Sequence, residues 1–345
     1  MRVTIADVAK AAGLSASGTS YALRGHPSIP PATVARVRRV AEKLGYKPDL
    51  RISSLMANVR RGRGLGKGET IALVWMNTPK DLSKLPENWH QAGKNFLLGV
   101  TRRAEQVGCA VDQFWLSDKE GMRPERLHRI LVSRGISGLV FAAVKGGARV
   151  ALDWDWSPFA AAVIGHTEFP LPMNRSAHFH YRSVRCLLAK LHAEGCRHPV
   201  VILNPDSQER THSMQLAAVL TGHPDRANAA KHVVYARPDE LPLMGKWQRE
   251  KADSLVVGWQ LSRADADALR EMAPHARRVV TLEWHPRGVL PGIDPLNEKI
   301  ASNALDLVVT QLQHNELGIT ANPATMLLEG VWVEQPDRAR QGRRA

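Results

Sequence analysis

Thr4-Ile5-Ala6-Asp7-Val8-Ala9-Lys10-Ala11-Ala12-Gly13-Leu14-Ser15, continued by Ala16-Ser17-Gly18-Thr19-Ser20-Tyr21-Ala22-Leu23, reads as two short helices joined by a sharp turn. Thr4 can cap the open amides of the first helix, and Asp7, three residues on, can cap back. Ile5, Val8, Ala9 and Ala12 recur at helical spacing, and Gly13 supplies the positive φ that lets the chain leave the helix. Ser15 can then cap the second helix. Beyond Pro30-Pro31, where Pro31 suits a first helical position, Val34, Val37, Ala41 and Leu44 form the apolar stripe of a third helix that Gly45 stops. The shared core is expected from Ile5, Val8, Leu14, Leu23, Val37 and Leu44. Residues 2–25 thus read as a helix-turn-helix, which lays one helix in the major groove of DNA.

Charge gives a second, independent signal. Residues 1–68 carry 13 Lys/Arg against 3 Asp/Glu, and residues 336–345 carry 4 against 1, so the formal net charge of +14 belongs to the two ends. The middle holds 30 against 29 and is nearly neutral. A basic head on a neutral body is what phosphate binding requires, because Lys and Arg displace counterions without reading sequence. The tail arginines, Arg338, Arg340, Arg343 and Arg344, have the plainer reading of a solvated end.

A chain of 345 residues is too long for one compact domain and apolar enough for several cores. The opening Met-Arg-Val-Thr lacks the apolar region of a secretory signal, and no run approaches the length of a membrane span. A cytoplasmic location is expected, with which the scattered Cys109, Cys186 and Cys196 agree. The basic stretch Arg60-Arg61-Gly62-Arg63-Gly64-Leu65-Gly66-Lys67-Gly68 lacks the Gly-Lys-Ser/Thr of a phosphate loop and precedes a strand, so it reads as a flexible linker.

Farther on, short apolar runs alternate with helical periods. Strands are expected at Ile71 to Met76, Ala110 to Trp115, Gly138 to Ala143, Ala160 to Ile164, Pro199 to Leu203, His232 to Tyr235, Ser254 to Val257 and Arg278 to Leu282. Helices fit at 92–107, 124–134, 182–194, 209–221, 264–272 and 296–314. Such alternation implies parallel sheets covered on both faces, with ligands bound beyond the carboxyl ends of the strands.

The chain resembles the LacI/GalR (lactose and galactose repressor) family of transcription factors. The resemblance rests on Val3 through Ser15, Leu23-Arg24-Gly25 and Ala41-Glu42-Lys43-Leu44-Gly45-Tyr46-Lys47-Pro48. More loosely it rests on Ala189 through Arg197, on Arg210 ahead of Ser213-Met214, and on the final helix and strand. It implies an all-α helix-turn-helix head at 1–47, a hinge helix and linker at 48–68, a two-lobed α/β effector and dimerisation domain of periplasmic-binding-protein type at 69–335, and a basic tail at 336–345. It further implies a regulator, most simply a repressor, that binds a pseudo-palindromic DNA operator as a homodimer and answers to a small-molecule effector, a sugar. A regulator with a degenerate pocket is the alternative; a sugar-binding receptor is disfavoured by the basic head. No enzyme activity, cofactor or membrane partner is expected.

Carried over, the base-reading positions are Ala16, Ser17 and Tyr21, and the full set expected at DNA is Thr4, Ser15, Ala16, Ser17, Gly18, Ser20, Tyr21, Arg24, Thr33 and Leu55. Gly18-Thr19-Ser20-Tyr21 stands where a common family helix has Thr-Val-Ser-Arg, so a phenol replaces a guanidinium; Tyr21 either reaches a base or packs on the head. The hinge maps to Asp49 through Ala57, with Leu55 as the minor-groove wedge; so short a helix is marginal alone, which couples its ordering to DNA. For the effector the resemblance points to Arg210, but the family's aspartate after a later strand is missing, with Gly258-Trp259-Gln260 in its place and Leu282-Glu283-Trp284 replacing another acidic segment. Trp75, Trp259 and Trp284 could stack on a sugar or pack in the core, and Asn77 and His166 could supply hydrogen bonds. The spacing of Cys186, His192, Cys196 and His198 matches no zinc pattern, and His178 and His180 have no further ligands beside them in sequence; no metal is expected.

Overall fold

The structure, a computed structural model, describes residues 3, 5–23, 29–46, 69–85, 87–116, 122–143, 152–166, 169–238, 240 and 252–334. The expectations for Thr4, Arg24, the hinge with Leu55, the glycine-rich linker and the basic tail fall outside these residues. The chain divides into two compact units, Met1–Lys67 and Gly68–Ala345.

In the first unit, α1 (Ile5–Ala12), α2 (Ala16–Leu23) and α3 (Pro31–Lys43) enclose a small core of Val8, Ala12, Ala22, Val37 and Ala41, with Leu14 and Leu23 packed against it. Gly13 and Gly45 both stand at φ +68°, so each helix ends where glycine removes the Cβ penalty. Ser15 Oγ accepts from Gly18 N at 3.0 Å and caps α2. Two expected core residues are corrected: Leu44, just past α3, is 38% exposed, and Ile5, at the start of α1, is half-buried outside the cluster. Alanines at 12, 22 and 41 make up three of the cluster's five buried members.

The second unit is built on two six-stranded sheets. The first has the order β11-β5-β4-β3-β1-β2 and joins β1 (Thr70–Met76), β2 (Ala110–Leu116), β3 (Gly138–Ala142), β4 (Ala160–Ile164), β5 (Asn174–His178) and β11 (Thr325–Leu328), all in parallel pairings. The second has the order β12-β10-β9-β8-β6-β7 and joins β6 (Pro199–Leu203), β7 (Val233–Tyr235), β8 (Ser254–Val257), β9 (Arg278–Thr281), β10 (Gly292–Asp294) and β12 (Val331–Val333), with only β10–β12 antiparallel. Each sheet is apolar on both faces. In β1, Ala72, Val74 and Met76 enter one apolar layer and Ile71, Leu73 and Trp75 the other; in β6, Val200 and Ile202 separate in the same way from Val201 and Leu203.

Helices cover those faces. α4 (Glu87–Val107) and α10 (Asn297–His314) pack on the first sheet, and α6 (His180–Ala193) on the second. α5 (Pro124–Ser133) and α9 (Arg263–Met272) add Leu127 and Leu131, and Ala266 and Leu269, to the opposite layers. The expected single helix at 209–221 is two, α7 (Pro205–Arg210) and α8 (Met214–Gly222), because His212 and Ser213 take positive φ and break the helical path.

The chain passes between the lobes three times among the described residues: from β5 into α6, from β10 into α10, and from β11 into β12. The passages touch. A Cβ on Gly330 would lie 2.3 Å from Ile293 Cγ2, 2.9 Å from Asp294 O and 3.0 Å from His178 Nε2, so only glycine lets the third passage lie against the other two. Leu296, at φ +58°, turns the second passage into α10 while its N–H donates to Asp294 Oδ1 at 2.8 Å.

Candidate functional site

These passages form the back of a cleft of about 520 Å3 between the lobes. From the first lobe come Trp89, Asn95 and Phe96 of α4 and the β4 end with His166; from the second come Arg210 and the segment Glu283 to Pro286; His178, His180 and Asp294 to Leu296 come from the passages themselves. Most of these residues follow the carboxyl ends of strands or open the helices after them, where parallel sheets leave room for ligands.

Arg210, the last residue of α7, extends its guanidinium over the Trp89 ring at 5.5 Å, a cation–π contact that stiffens a long side chain. Glu283 shares the cleft; burial raises its carboxyl pKa, and the charge of Arg210 draws it partway back. Burial also raises Asp294, against the opposing effect of the Leu296 N–H.

Three imidazoles line the remaining wall. His166 Nε2 lies 2.8 Å from His178 O, His178 Nε2 lies 2.7 Å from Ser183 Oγ, and His180 Nδ1 lies 3.4 Å from Gln215 Nε2. The rings of His178 and His180 are 4.5 Å apart, and those of His166 and His180 5.2 Å. Burial is the main cause holding all three below the usual imidazole range, His178 to about 3, so the rings are neutral at neutral pH. The Gln215 amide that meets His180 is fixed in turn by Gln208 Nε2, which donates to Gln215 Oε1 at 2.5 Å. The wall therefore offers neutral, oriented donors and acceptors beside Arg210, Glu283 and Asp294.

Of the residues expected here from sequence, Arg210, His166 and Trp284 line the cleft, and Trp75, Asn77 and Trp259 do not. Trp75, 1% exposed, lies on the β1 face covered by α4 and α10, with Nε1 donating to Gln113 Oε1 at 3.0 Å. Trp259, 5% exposed, belongs to a core layer of the second lobe. Alternation within β1 puts Trp75 on a helix-covered face, and Trp259, two residues past the end of β8, joins the core layer of Leu255 and Val257. Asn77, past the β1 end at φ 45°, is exposed, and its N–H donates to Leu116 O. Sequence reasoning missed Trp89, His180 and Asp294; Glu283 was noted only as a replacement. Trp89 and His180 lie on helices and Asp294 on a three-residue strand, which no strand-end search reaches.

On the head, α2 turns Thr19 and Ala22 inward and leaves Ser15, Ala16 and Ser17 exposed, with Gly18, Ser20, Tyr21 and Thr33 partly so. Thr19 and Ala22 are thus the inward positions of α2, and Ser15, Ala16 and Ser17 at its start face outward.

A helix-turn-helix head followed by two parallel-sheet lobes with three passages defines a class: an α/β domain of periplasmic-binding-protein type behind a helical head. Residues 4–49 match the family described as bacterial regulatory proteins, lacI family. HTH-type transcriptional regulator MalR of Streptococcus pneumoniae serotype 4 (strain ATCC BAA-334 / TIGR4) is 40% identical over 141 residues, 41% of this chain and 39% of MalR. Catabolite control protein A of Priestia megaterium is 34% identical over 144 residues, 41% of this chain and 37% of that protein. These alignments thus span about two fifths of the relatives' length. Among solved structures, a transcriptional regulator CelR–cellobiose complex aligns with TM-score 0.53 at 17% identity, covering 96% of this chain and 98% of that one. The lac repressor dimer bound to operator and the anti-inducer ONPF aligns with TM-score 0.50 at 16% identity, covering 97% and 98%. At such identities the likeness is one of fold.

Proposed function

We propose that the protein is a cytoplasmic, sequence-specific DNA-binding regulator, a repressor, that grips a pseudo-palindromic operator as a homodimer and is modulated by a carbohydrate held between its lobes. The head carries this reading: its helix-turn-helix matches a family of regulatory proteins, α2 exposes Ser15, Ala16 and Ser17, and the surplus positive charge of the chain is concentrated there. The cleft supports the second half. Trp89 and Trp284 offer faces for an apolar sugar surface, and Arg210, Glu283, Asp294 and the neutral imidazoles supply donors and acceptors for hydroxyls. Glu283 and Asp294, whose carboxyl groups line the cleft, favour a working pocket over a degenerate one.

The test is selection of bound sequences from random DNA with the full chain, followed by affinity measurements at rising salt and with a panel of sugars. Expected are a two-fold symmetric site, steep loss of affinity with salt, and a shift of operator affinity by at least one sugar. An asymmetric half-site or salt-indifferent binding overturns the DNA reading; a panel without effect on a tight operator complex overturns the carbohydrate reading alone.

A further inference from the structure

Outside the cleft, three side chains distant in sequence meet at the β6–β7 edge of the second sheet. His198 precedes β6, Asp225 caps the 3-10 turn Arg226–His232, and His232 closes that turn ahead of β7. A ligating atom from each lies within 4.8 Å of the other two, the one group of three or more such residues that meets this test among the described residues. We propose that His198, Asp225 and His232 form a binding site for a divalent transition-metal ion of the zinc kind.

Distance supports it first. A tetrahedral ion holding nitrogen and oxygen donors at about 2.0–2.1 Å sets them roughly 3.3 Å apart, and His232 Nε2 stands 3.3 Å from Asp225 Oδ2. The third donor comes from an exposed ring already turned toward its partner: the His198 and His232 centroids are 5.8 Å apart at 26°. The ligating atom of His198 lies within 4.8 Å of those of Asp225 and His232.

The surroundings hold the three positions in place. His198 N donates to Asp253 Oδ2 at 2.9 Å, and Arg197 N donates to the same oxygen. Asp225 N donates to His223 Nδ1 at 3.0 Å, while His223 Nε2 donates to Pro199 O at 2.9 Å. Both His223 nitrogens are thereby committed, so this ring is no ligand; it lies nearly parallel to His232, 4.2 Å away at 16°, and supports it. Asp225 divides its oxygens. Oδ1 accepts from Asn228 N at 3.3 Å and caps the turn, and Oδ2 faces His232 with Asn228 Nδ2 at 3.2 Å to orient it. Ligands steadied by such outer partners are what metal sites require.

Two imidazoles and one carboxylate select the metal class. Calcium and magnesium prefer all-oxygen shells, whereas zinc and its neighbours take nitrogen readily, and three protein ligands leave a position for water. Unfolding scatters the donors, so the ion binds the native chain preferentially and stabilises the second lobe. The competing account is a plain His232–Asp225 ion pair, which needs neither His198 nor metal.

The experiment uses the full chain, stripped with a chelator and titrated with Zn2+ against a chromophoric competitor, with Mg2+ in parallel. His198→Gln, Asp225→Asn and His232→Gln are compared with the wild type and with His192→Gln, a nearby exposed histidine outside the group. Expected are one Zn2+ per chain, a melting temperature raised by Zn2+ and not by Mg2+, and affinity reduced about tenfold or more in each of the three variants, with His192→Gln unchanged. Absence of stoichiometric Zn2+ binding overturns the proposal, as does binding that survives His198→Gln or that His192→Gln weakens equally. Metal-free melting of each variant checks the fold. If Asp225→Asn is unstable, His198→Gln decides, since its exposed side chain supports no core.

Discussion

The Ser183 hydroxyl lies 2.7 Å from His178 Nε2, and the same oxygen accepts from Gly330 N at 3.0 Å, so one side chain ties the first passage between the lobes to the third. His178 Nδ1 is buried without a partner, which leaves Ser183 as the ring's side-chain hydrogen bond among the described residues. Ser183→Ala orphans a buried imidazole and a backbone amide. A loss of about 1–3 kcal/mol is expected, read as a lower urea midpoint at unchanged slope; an unmoved midpoint shows that the bond does not hold the passages.

The cleft imidazoles make stability fall with acid in a definite window. Their folded pKa values lie below 6.5, that of His178 at about 3. Below 6.5 the unfolded chain therefore takes up protons that the native chain refuses, and stability present above that pH is lost as pH falls toward about 3. Each such group contributes a slope of about 1.4 kcal/mol per pH unit. Melting followed from pH 7 to pH 5 in the wild type and in His178→Gln checks this, with a shallower slope expected in the variant; identical slopes refute it.

For Arg210→Ala, the reading of the cleft predicts loss of the sugar response with unliganded operator affinity near normal. Losing a charged hydrogen bond to ligand costs about 1.5–3 kcal/mol, measurable by calorimetry with whichever sugar the panel identifies. Lost operator binding with retained sugar affinity makes Arg210 structural.

Glu283→Gln separates binding from stability. Because burial raises the Glu283 pKa, ionisation at neutral pH opposes folding. The amide is expected to raise the melting temperature while weakening the sugar. A fall in both assigns Glu283 to the support of Arg210 instead.

If the proposed wedge is Leu55, Leu55→Ala is expected to lower operator affinity and DNA bending while leaving the proposed sugar response and dimer unchanged. Gel mobility with permuted operator fragments measures the bend; an unchanged bend and affinity exclude the wedge. Ser15→Ala removes the α2 cap and is expected to reduce head stability by about 1 kcal/mol, seen as earlier melting of the head.

Most of the architecture was legible because apolar runs announce it. Ala160–Ile164, Pro199–Leu203 and Ser254–Val257 are fully buried strands whose limits agree with the sequence reading. Asn174–His178 escaped because it is polar: Ser176 and His178 are buried, but no apolar run marks them. The short β10, β11 and β12 carry too few residues for a period. The cleft was half legible. Arg210 and His166 were reachable by resemblance and by strand-end position, whereas Trp75 and Trp259 stayed open between stacking and core because a tryptophan near a strand end reads alike whether it faces a helix or a cleft; both lie in core layers. Trp89 and His180 needed the third dimension.

Three passages also mean that neither lobe is a continuous piece of chain. The first sheet receives β11, and its apolar face is closed by Ile300, Ala301, Leu305 and Val308 of α10, all later in sequence than the entire β6–β9 set. On the ribosome, β1 to β4 and α4 therefore emerge with Val140 and Ala162 lacking the cover that α10 gives them, and remain so until α10 and its following strand leave the exit tunnel. The second lobe can gather most of its strands before the first is sealed. A nascent chain stalled before residue 297 should thus bind a chaperone through the earlier half, and a clean cut between the lobes should yield no soluble fragment of the first.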